Sequence, residues 1–156
     1  MSTPAELIDN YLRGPALLRQ AVAGMNSEQL KARPVAGKWS ALEVVCHLAD
    51  FEPIMADRMK RVIALEMPLL FGADEKEFAK SLSYHERDLQ EELAIIENTR
   101  KQMVRILRKL PPDAWQRNGN HSERGLRTLE QFVQGAINHI PHHTAFIQEK
   151  RKVLGC

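Results

Sequence analysis

Apolar residues recur at every third or fourth position in four stretches of the chain, which is the spacing of one face of an α-helix. The first stretch begins at Thr3, and the other three cover roughly residues 40–66, 84–109 and 128–152. No segment alternates apolar and polar residues with period two, so we predict no β-sheet. The pattern predicts an all-α fold, a four-helix bundle that forms a single domain over residues 1–156.

Each predicted helix begins with a capping box. In this motif a hydroxyl side chain bonds an amide of the first turn, and a Glu or Gln side chain bonds the amide of the cap residue. The four boxes are Thr3–Glu6, Ser40–Glu43, Ser83–Glu86 and Thr128–Gln131. One box is a weak signal, but four boxes, each at the start of an amphipathic stretch, consistently indicate where four helices begin.

The segments between the helices predict the topology. Residues 67–82 are long enough to run from one end of the bundle to the other, which indicates a crossover between the second and third helices. Residues 111–127 are rich in Asn and Gly, which favours a turn-rich loop. We also expect Gly14-Pro15 to kink the first helix, because proline cannot donate a backbone hydrogen bond.

Composition and charge argue against several classes of protein. With 156 residues, of which 44% are hydrophobic and 27% charged, the chain resembles an ordinary globular domain. A formal net charge of +2, with both signs interspersed, gives no sign of a nucleic-acid partner. No apolar stretch approaches the roughly 20 residues of a membrane span, and we see no signal peptide. Two cysteines, Cys46 and Cys156, cannot build a disulfide framework, so we expect a cytoplasmic protein.

Three histidines are the candidate chemical groups. His139 and His143 are four residues apart in the last helix, so they project from one side, one turn apart. His47 lies on the apolar stripe of the second helix. A buried imidazole needs a hydrogen bond or a metal ion. Three neutral imidazoles from two helices would hold a divalent ion and leave coordination positions open, as in a catalytic site.

Each histidine also has a simpler structural explanation. His47 can be an ordinary core residue that bonds a neighbour. His142 projects away from the pair on its own helix, which favours a solvent-side or supporting role over ligation. His85 and His121 are expected at the surface, where His121 can line the mouth of the site.

Two carboxylates flank His47 on the same helix, Glu43 four residues before it and Asp50 three residues after it. Glu43 is explained by its capping box. Asp50 is therefore our candidate catalytic residue, because it can orient an imidazole or accept a proton from a bound water or thiol. Cys46 is expected in the core rather than as a ligand.

The order of these motifs resembles that of a known family. Residues 38–50 (KWSALEVVCHLAD) resemble the W-S-x-x-E-x-x-x-H-L-x-D segment of DinB-like proteins. Residues 125–129 (GLRTL) and 139–143 (HIPHH) resemble later segments of the same family. The resemblance covers nearly the whole chain and includes the long central crossover.

The resemblance implies a DinB/YfiT-like four-helix bundle, typically a dimer, with a divalent metal held by His47, His139 and His143. Some relatives are thiol-dependent transferases or isomerases that use low-molecular-weight thiols, and many have no established activity. Pro141 departs from the expected pattern because it stands between two of the ligands. A kink there can open the site or move the pairing to His142.

We therefore predict a metal-dependent enzyme in which the three-histidine site activates a water or a low-molecular-weight thiol. The two chemistries are hydrolysis and thiol S-transfer on a small-molecule substrate that the sequence does not identify. Zinc and nickel both accept three imidazoles, so the ligand set does not separate them. The alternative is a non-catalytic metal-binding or stress-related dimeric bundle.

The second helix carries more apolar residues than one buried stripe needs. The excess comprises Met55, Met59, Val62 and Ile63. Together with the family resemblance, this excess predicts a homodimer.

Overall fold

Four long helices form the bundle that the apolar spacing predicts, which confirms the fold class. The structure, a computed structural model, describes residues 3–156. The long helices are α1 (Pro4–Val22), α3 (Ala41–Ala64), α5 (Leu89–Leu107) and α6 (Leu129–Leu154), and the short helices α2 (Ser27–Lys31) and α4 (Glu75–Ser81) lie between them. Within residues 3–156, none of the helices is long and apolar enough to cross a lipid bilayer.

Each long helix packs against two of the other three. Both α1 and α3 pack against α5 and α6. Although α1 and α3 follow one another in the chain, they therefore occupy opposite corners of the bundle. The neighbouring pair α3 and α6 matters most for the site, because these two helices carry the three candidate histidines.

Three of the four predicted capping boxes are confirmed. The side chains of Thr3, Ser40 and Thr128 each accept a hydrogen bond from the third amide of their helix, and the reciprocal bond is present in each case. These local signals fix where α1, α3 and α6 begin.

The box predicted at Ser83 is wrong. Residues Tyr84–Glu86 form a single 3₁₀ turn, and α5 begins only at Leu89. Ser83 has a left-handed backbone with φ of 51°, whereas a helix cap needs extended backbone. Asp88 caps α5 instead, because its carboxylate accepts the amides of Gln90 at 2.8 Å and Glu91 at 3.0 Å.

The prediction of no sheet is also wrong, because the connections form a small three-stranded sheet. Its strands are β1 (Leu69–Leu70), β2 (Asn118–His121) and β3 (Gly125–Thr128). β1 pairs with β2 in parallel, and β2 pairs with β3 as an antiparallel hairpin. Strands this short carry too few residues to show an alternating pattern. At Gly119 a Cβ atom would lie 2.8 Å from side-chain atoms of Leu70 and Val62, so only glycine allows β2 to approach the bundle.

Three prolines lie inside long helices without ending them. α1 runs through Pro15, α3 through Pro53 and α6 through Pro141. Each proline removes one backbone donor, but the helices continue on both sides. In α6 the one-turn relation between His139 and His143 is therefore preserved, and the pairing does not move to His142.

Four apolar residues on α3 exceed what one buried stripe needs, and two of them belong to the core of this chain. Met59 and Val62 are fully buried in a cluster that also contains Leu70 and Trp115. Met55 and Ile63 are partly buried against the same cluster. A count based on a single stripe failed because β2 packs against α3, and Leu70 of β1 and Trp115 of the 3₁₀ turn Pro112–Gln116 join the same core cluster.

A buried arginine joins the four long helices at the centre of the bundle. Arg100 on α5 and Glu52 on α3 form an ion pair at 2.9 Å, and both side chains are fully inaccessible to solvent. The guanidinium also donates to the carbonyl of Tyr11 on α1 at 2.6 Å and to the carbonyl of Ala136 on α6 at 2.7 Å. The Tyr11 hydroxyl donates to Glu52 at 2.7 Å, which completes a network with members from all four helices.

We expect Arg100→Met to lower the free energy of unfolding by about 3–5 kcal/mol, because Glu52 would remain as an uncompensated buried charge. Urea unfolding followed by circular dichroism measures the loss, with the exposed Arg105→Met on the same helix as the control. The double variant Arg100→Met/Glu52→Gln should recover part of the stability, because it leaves no buried charge. If the losses of the two single variants simply add in the double variant, the pair is not coupled as described.

Candidate metal centre

The three predicted ligands meet between α3 and α6. The Nε2 atom of His47 lies 3.1 Å from the Nε2 atoms of both His139 and His143. One ligand atom from each residue lies within 4.8 Å of the others. His47 and His143 are buried, and His139 is partly exposed.

Local structure fixes the direction of each ring. His139 and His143 stand one turn apart on α6, with ring centroids 4.7 Å apart. On α3 the ring of His47 lies between Phe51, at 4.5 Å, and Trp39, at 5.3 Å between centroids. The aromatic contacts hold the imidazole so that its Nε2 atom points towards α6.

Burial keeps the three imidazoles neutral. It lowers the pKa of His47 to about 4 from its ordinary value near 6.5. Burial together with the neighbouring histidines lowers the pKa of His139 to about 2 and that of His143 to about 3. Neutral imidazoles offer the lone pairs that a metal ion requires, so this environment prepares the cluster for a cation.

The donor set fits a divalent ion better than it fits a hydrogen-bonded core. The Nε2 atom of a neutral His47 holds either a proton or a lone pair, so it cannot serve two neighbouring Nε2 atoms as a donor. Two nitrogens about 2.05 Å from one ion lie about 3.3 Å apart in tetrahedral geometry, close to the spacing of these atoms. Binding of an ion through Nε2 would place the ring proton of each histidine on Nδ1, and within residues 3–156 the three Nδ1 atoms have no hydrogen-bond partner.

The sequence did not identify Glu75, which the crossover brings to the site. Its carboxylate lies 3.8 Å from the Nε2 atom of His47, and its side chain is about half exposed at 52%. Glu75 is the first residue of α4, and the side chain of Asp74 caps this helix. The one available signal was an acidic pair within a segment long enough to cross the bundle.

Asp50, the predicted catalytic residue, does not join the three histidines. Its two oxygens accept hydrogen bonds from Arg87 at 3.0 and 2.8 Å, and the same guanidinium binds Glu92. In the described part of the chain, Asp50 makes no hydrogen bond to His47. Asp50 lies on α3 as expected, but Arg87, from the turn before α5, binds its carboxylate.

The other candidate residues mostly take their simpler roles. Glu43 completes the cap of α3 and also binds Arg33. Cys46 is buried and donates to the carbonyl of Tyr84. His142 and His85 are exposed, as expected. His121 differs, because it is buried at 3% exposure on β2.

A cavity of about 640 Å³ opens beside the histidines. It is lined by α3 and α6, by the crossover at residues 73–75 and by the hairpin at residues 121–127. His47 and His139 lie in its wall, and His121 lines it as predicted. Its volume is in the range of small-molecule sites, so an organic substrate can reach the cluster.

Residues 10–147 match the DinB superfamily, and the chain belongs to this family. A protein of Oceanobacillus iheyensis is 33% identical over 140 residues, which cover 88% of this chain and 81% of the relative. YfiT of Bacillus subtilis is 30% identical over 142 residues, which cover 90% of this chain and 80% of YfiT. Both relatives bear the name "putative metal-dependent hydrolase".

Solved structures agree with this assignment. The structure of YfiT, described as having an unusual four-helix bundle topology, matches with a TM-score of 0.91 at 28% identity, over 99% of this chain and 90% of YfiT. A mycothiol-dependent maleylpyruvate isomerase matches with a TM-score of 0.72 at 11% identity, over 92% of this chain and 60% of the isomerase, which shows the fold alone. The family, the names of the relatives and the histidine cluster together support a DinB-like metal-binding protein.

The histidine pKa values predict how the stability of the metal-free protein depends on pH. All three folded-state values lie below the ordinary value near 6.5, so the unfolded chain binds more protons at mildly acidic pH. Stability present above pH 6.5 should therefore be lost as the pH falls towards 4. Urea unfolding at a series of pH values, with chelator present, measures this slope.

The variant His139→Gln should show a shallower slope than the wild type, because one buried titrating group is gone. The exposed neighbour variant His142→Gln should keep the wild-type slope. Equal slopes in His139→Gln and the wild type would contradict the neutral buried state of this imidazole.

Proposed function

We propose that the protein is a divalent-metal-dependent enzyme whose three-histidine site activates a water or a low-molecular-weight thiol. The convergence of three neutral imidazoles at the wall of a substrate-sized cavity carries this proposal. His47, His139 and His143 would hold the ion, and three protein ligands leave further positions open. The names of the relatives favour hydrolysis, and thiol S-transfer is the second chemistry of the same site.

A divalent ion in this site supplies Lewis acidity, which makes a water or a thiol nucleophilic at neutral pH. Zinc and nickel are the candidate ions, because both bind imidazole well. The remaining tasks belong to the protein, which must bind the substrate, hold its electrophilic carbon near the nucleophile and accept a proton.

Glu75 is placed to accept that proton. Within residues 3–156, it is the carboxylate within 4.0 Å of a ring nitrogen of the three histidines. In either chemistry the nucleophile gives its proton to Glu75 and forms a bond to the electrophilic carbon. The leaving group then departs with its bonding electrons and takes up this proton from Glu75, which returns to its ionised form. Asp50 is occupied by Arg87, so its contacts do not support the same task.

Metal binding is the first test. Protein purified without an affinity tag and equilibrated with zinc or nickel should bind about one ion per chain, measured by elemental analysis after gel filtration. His143→Ala should lose the ion and keep its helical circular dichroism spectrum, whereas the exposed neighbour variant His142→Ala should keep both. A His143→Ala protein that binds the ion as tightly as the wild type would refute the site.

The second test is of catalysis. Turnover of esters and other electrophiles is measured in water alone and with several cellular thiols. Glu75→Gln should keep the metal and lower kcat by about 10²–10⁴-fold, the usual contribution of a positioned base. Glu77→Gln is the matched control, because Glu77 lies on the same short helix and does not line the cavity.

The variant Asp50→Asn tests which of the two carboxylates, Asp50 or Glu75, accepts the proton. Slower turnover in Asp50→Asn with normal turnover in Glu75→Gln would return the proton-accepting role to Asp50. Loss of metal from Glu75→Gln would make Glu75 a ligand instead of a base. A metal-loaded wild type that shows no turnover with any substrate would favour the non-catalytic metal-binding bundle.

We also propose that the protein forms a homodimer, as the family resemblance implies. Ile63 remains partly buried, and exposed apolar side chains follow the end of α3. They include Leu65, Met67, Leu69 and Phe71. Sedimentation at tens of micromolar protein should give a dimer, and a monomer at that concentration would count against this proposal.

A further inference from the structure

The cavity changes in character along its length. His47, Phe51, Met55 and Arg58 are spaced at three- and four-residue steps on α3 and line one wall. At 1.5 Å per residue, His47 and Arg58 are about 16 Å apart along the helix axis. The histidines therefore lie at one end of the cavity, apolar rings lie in the middle, and an arginine lies at the other end.

The opposite wall, formed by α6, adds one apolar ring to the middle of the cavity. His139 of α6 contacts His47, and Phe132, seven residues earlier, lines the middle of the cavity. The two helices are antiparallel, because Lys38, before α3, binds Glu149 near the end of α6. On this wall Gln134, Gly135 and Asn138 line the cavity between Phe132 and His139, so the apolar lining of the middle comes mainly from Phe51 and Met55 of α3.

The far end of the cavity gathers three arginines, Arg58, Arg124 and Arg127. One acidic residue, Glu123, lines the cavity beside them. Within residues 3–156, none of the three guanidinium groups has a carboxylate within 4.0 Å, the limit for an ion pair. This end of the cavity therefore has an excess of positive charge that the described chain does not pair.

The guanidinium of Arg58 is the clearest case of a positive charge without an ion-pair partner among the described residues. Its Nη2 donates to the carbonyl of Phe71 at 2.6 Å, but its Nε is buried and has no acceptor among residues 3–156. Burial, and then the charge of Arg124, lower the pKa of Arg58. A buried donor without an acceptor is costly, and two nearby cations repel each other, so an anion would relieve both.

His121 adds a neutral donor at the same end. Its Nδ1 accepts the amide of Glu123 at 3.2 Å, so the proton of the neutral ring is on Nε2. Burial and the nearby arginines Arg58 and Arg124 lower the pKa of His121, which keeps the ring neutral near pH 7. The ring therefore adds hydrogen-bonding capacity without adding charge.

We propose that Arg58, Arg124 and Arg127 bind the anionic group of an elongated small molecule whose reacting group lies at the three histidines. The anionic group is a carboxylate or a phosphate, which matches the planar fork of a guanidinium. Phe51, Met55 and Phe132 would contact the apolar middle of this molecule. The inference rests on the proposed function, because the histidine end supplies the chemistry.

The test uses two thiols of equal length, 8-mercaptooctanoate and 8-mercaptooctanol, titrated calorimetrically into zinc-loaded protein. The thiol group of either probe can bind at the histidine end, and only the acid carries an anion to the arginines. The acid should bind about tenfold more tightly than the alcohol, the value of one charged hydrogen bond. The shorter 3-mercaptopropionate should lose this advantage, because it cannot span the cavity.

Variants test which side chains produce the preference for the acid over the alcohol. Arg127→Gln and Arg58→Met should each reduce the preference for the acid towards equality. Arg127 is exposed and unpaired by the described chain, so its variant tests the site even if Arg58→Met unfolds. Glu123→Gln should increase the preference, because it removes the opposing charge. Arg61→Met is the matched control, because Arg61 lies on the same helix, binds Asp57 and does not line the cavity.

The outcomes separate the two proposals. If both thiols bind equally to the wild type, the anion site is wrong and the histidine site stands. If neither thiol binds, the thiol chemistry of the proposed function fails, and hexanoate and hexanol on metal-free protein, followed by NMR shifts, decide the anion site alone. Hexanoate should then shift resonances of the hairpin at residues 121–127 at concentrations where hexanol does not, and equal responses would overturn the inference.

Discussion

The buried guanidinium of Arg100 is the constraint on which the rest of the structure depends. It donates hydrogen bonds to a carboxylate of α3, a carbonyl of α1 and a carbonyl of α6. One rigid group therefore sets how these helices are positioned along their axes relative to one another. Glu52 lies five residues after His47, and Ala136 lies three residues before His139. The same group that joins the core therefore also sets how the imidazoles of α3 and α6 meet. Gly14 is part of this constraint, because a Cβ atom there would lie 2.2 Å from the guanidinium.

The features that follow from local chemistry could be predicted from the sequence. Capping boxes and apolar spacing depend on residues within one or two turns, and they predicted three helix starts and the place of all three histidines. The start of α5 was missed because two capping signals, Ser83 and Asp88, compete within five residues, and only the left-handed backbone at Ser83 decides between them. The sheet was missed because its strands are held by contacts with the bundle and have no pattern of their own.

The features that depend on the path of the connections could not be predicted. Asp50 lies on the helix where the spacing placed it, but a residue from a distant turn, Arg87, determines what its carboxylate binds. Glu75 reaches the histidines only because the crossover passes over this end of the cavity. Met59 and Val62 look like a free surface in the sequence, but Trp115, from the segment before the hairpin, joins their core cluster. In each case the deciding partner lies more than ten residues away, beyond the reach of helical periodicity.

The site therefore divides into a part built on helices and a part built on connections. The imidazoles stand on α3 and α6, which the central arginine holds in place, so the candidate metal ligands belong to the rigid scaffold. Glu75 and two of the arginines at the far end stand on the crossover and the hairpin. Such connections tolerate changes of sequence better than the helices that they join. On the proposed function, a change in the crossover or hairpin would alter which substrate is held while the imidazoles stay in place, so one scaffold could serve different substrates with the same three-histidine chemistry.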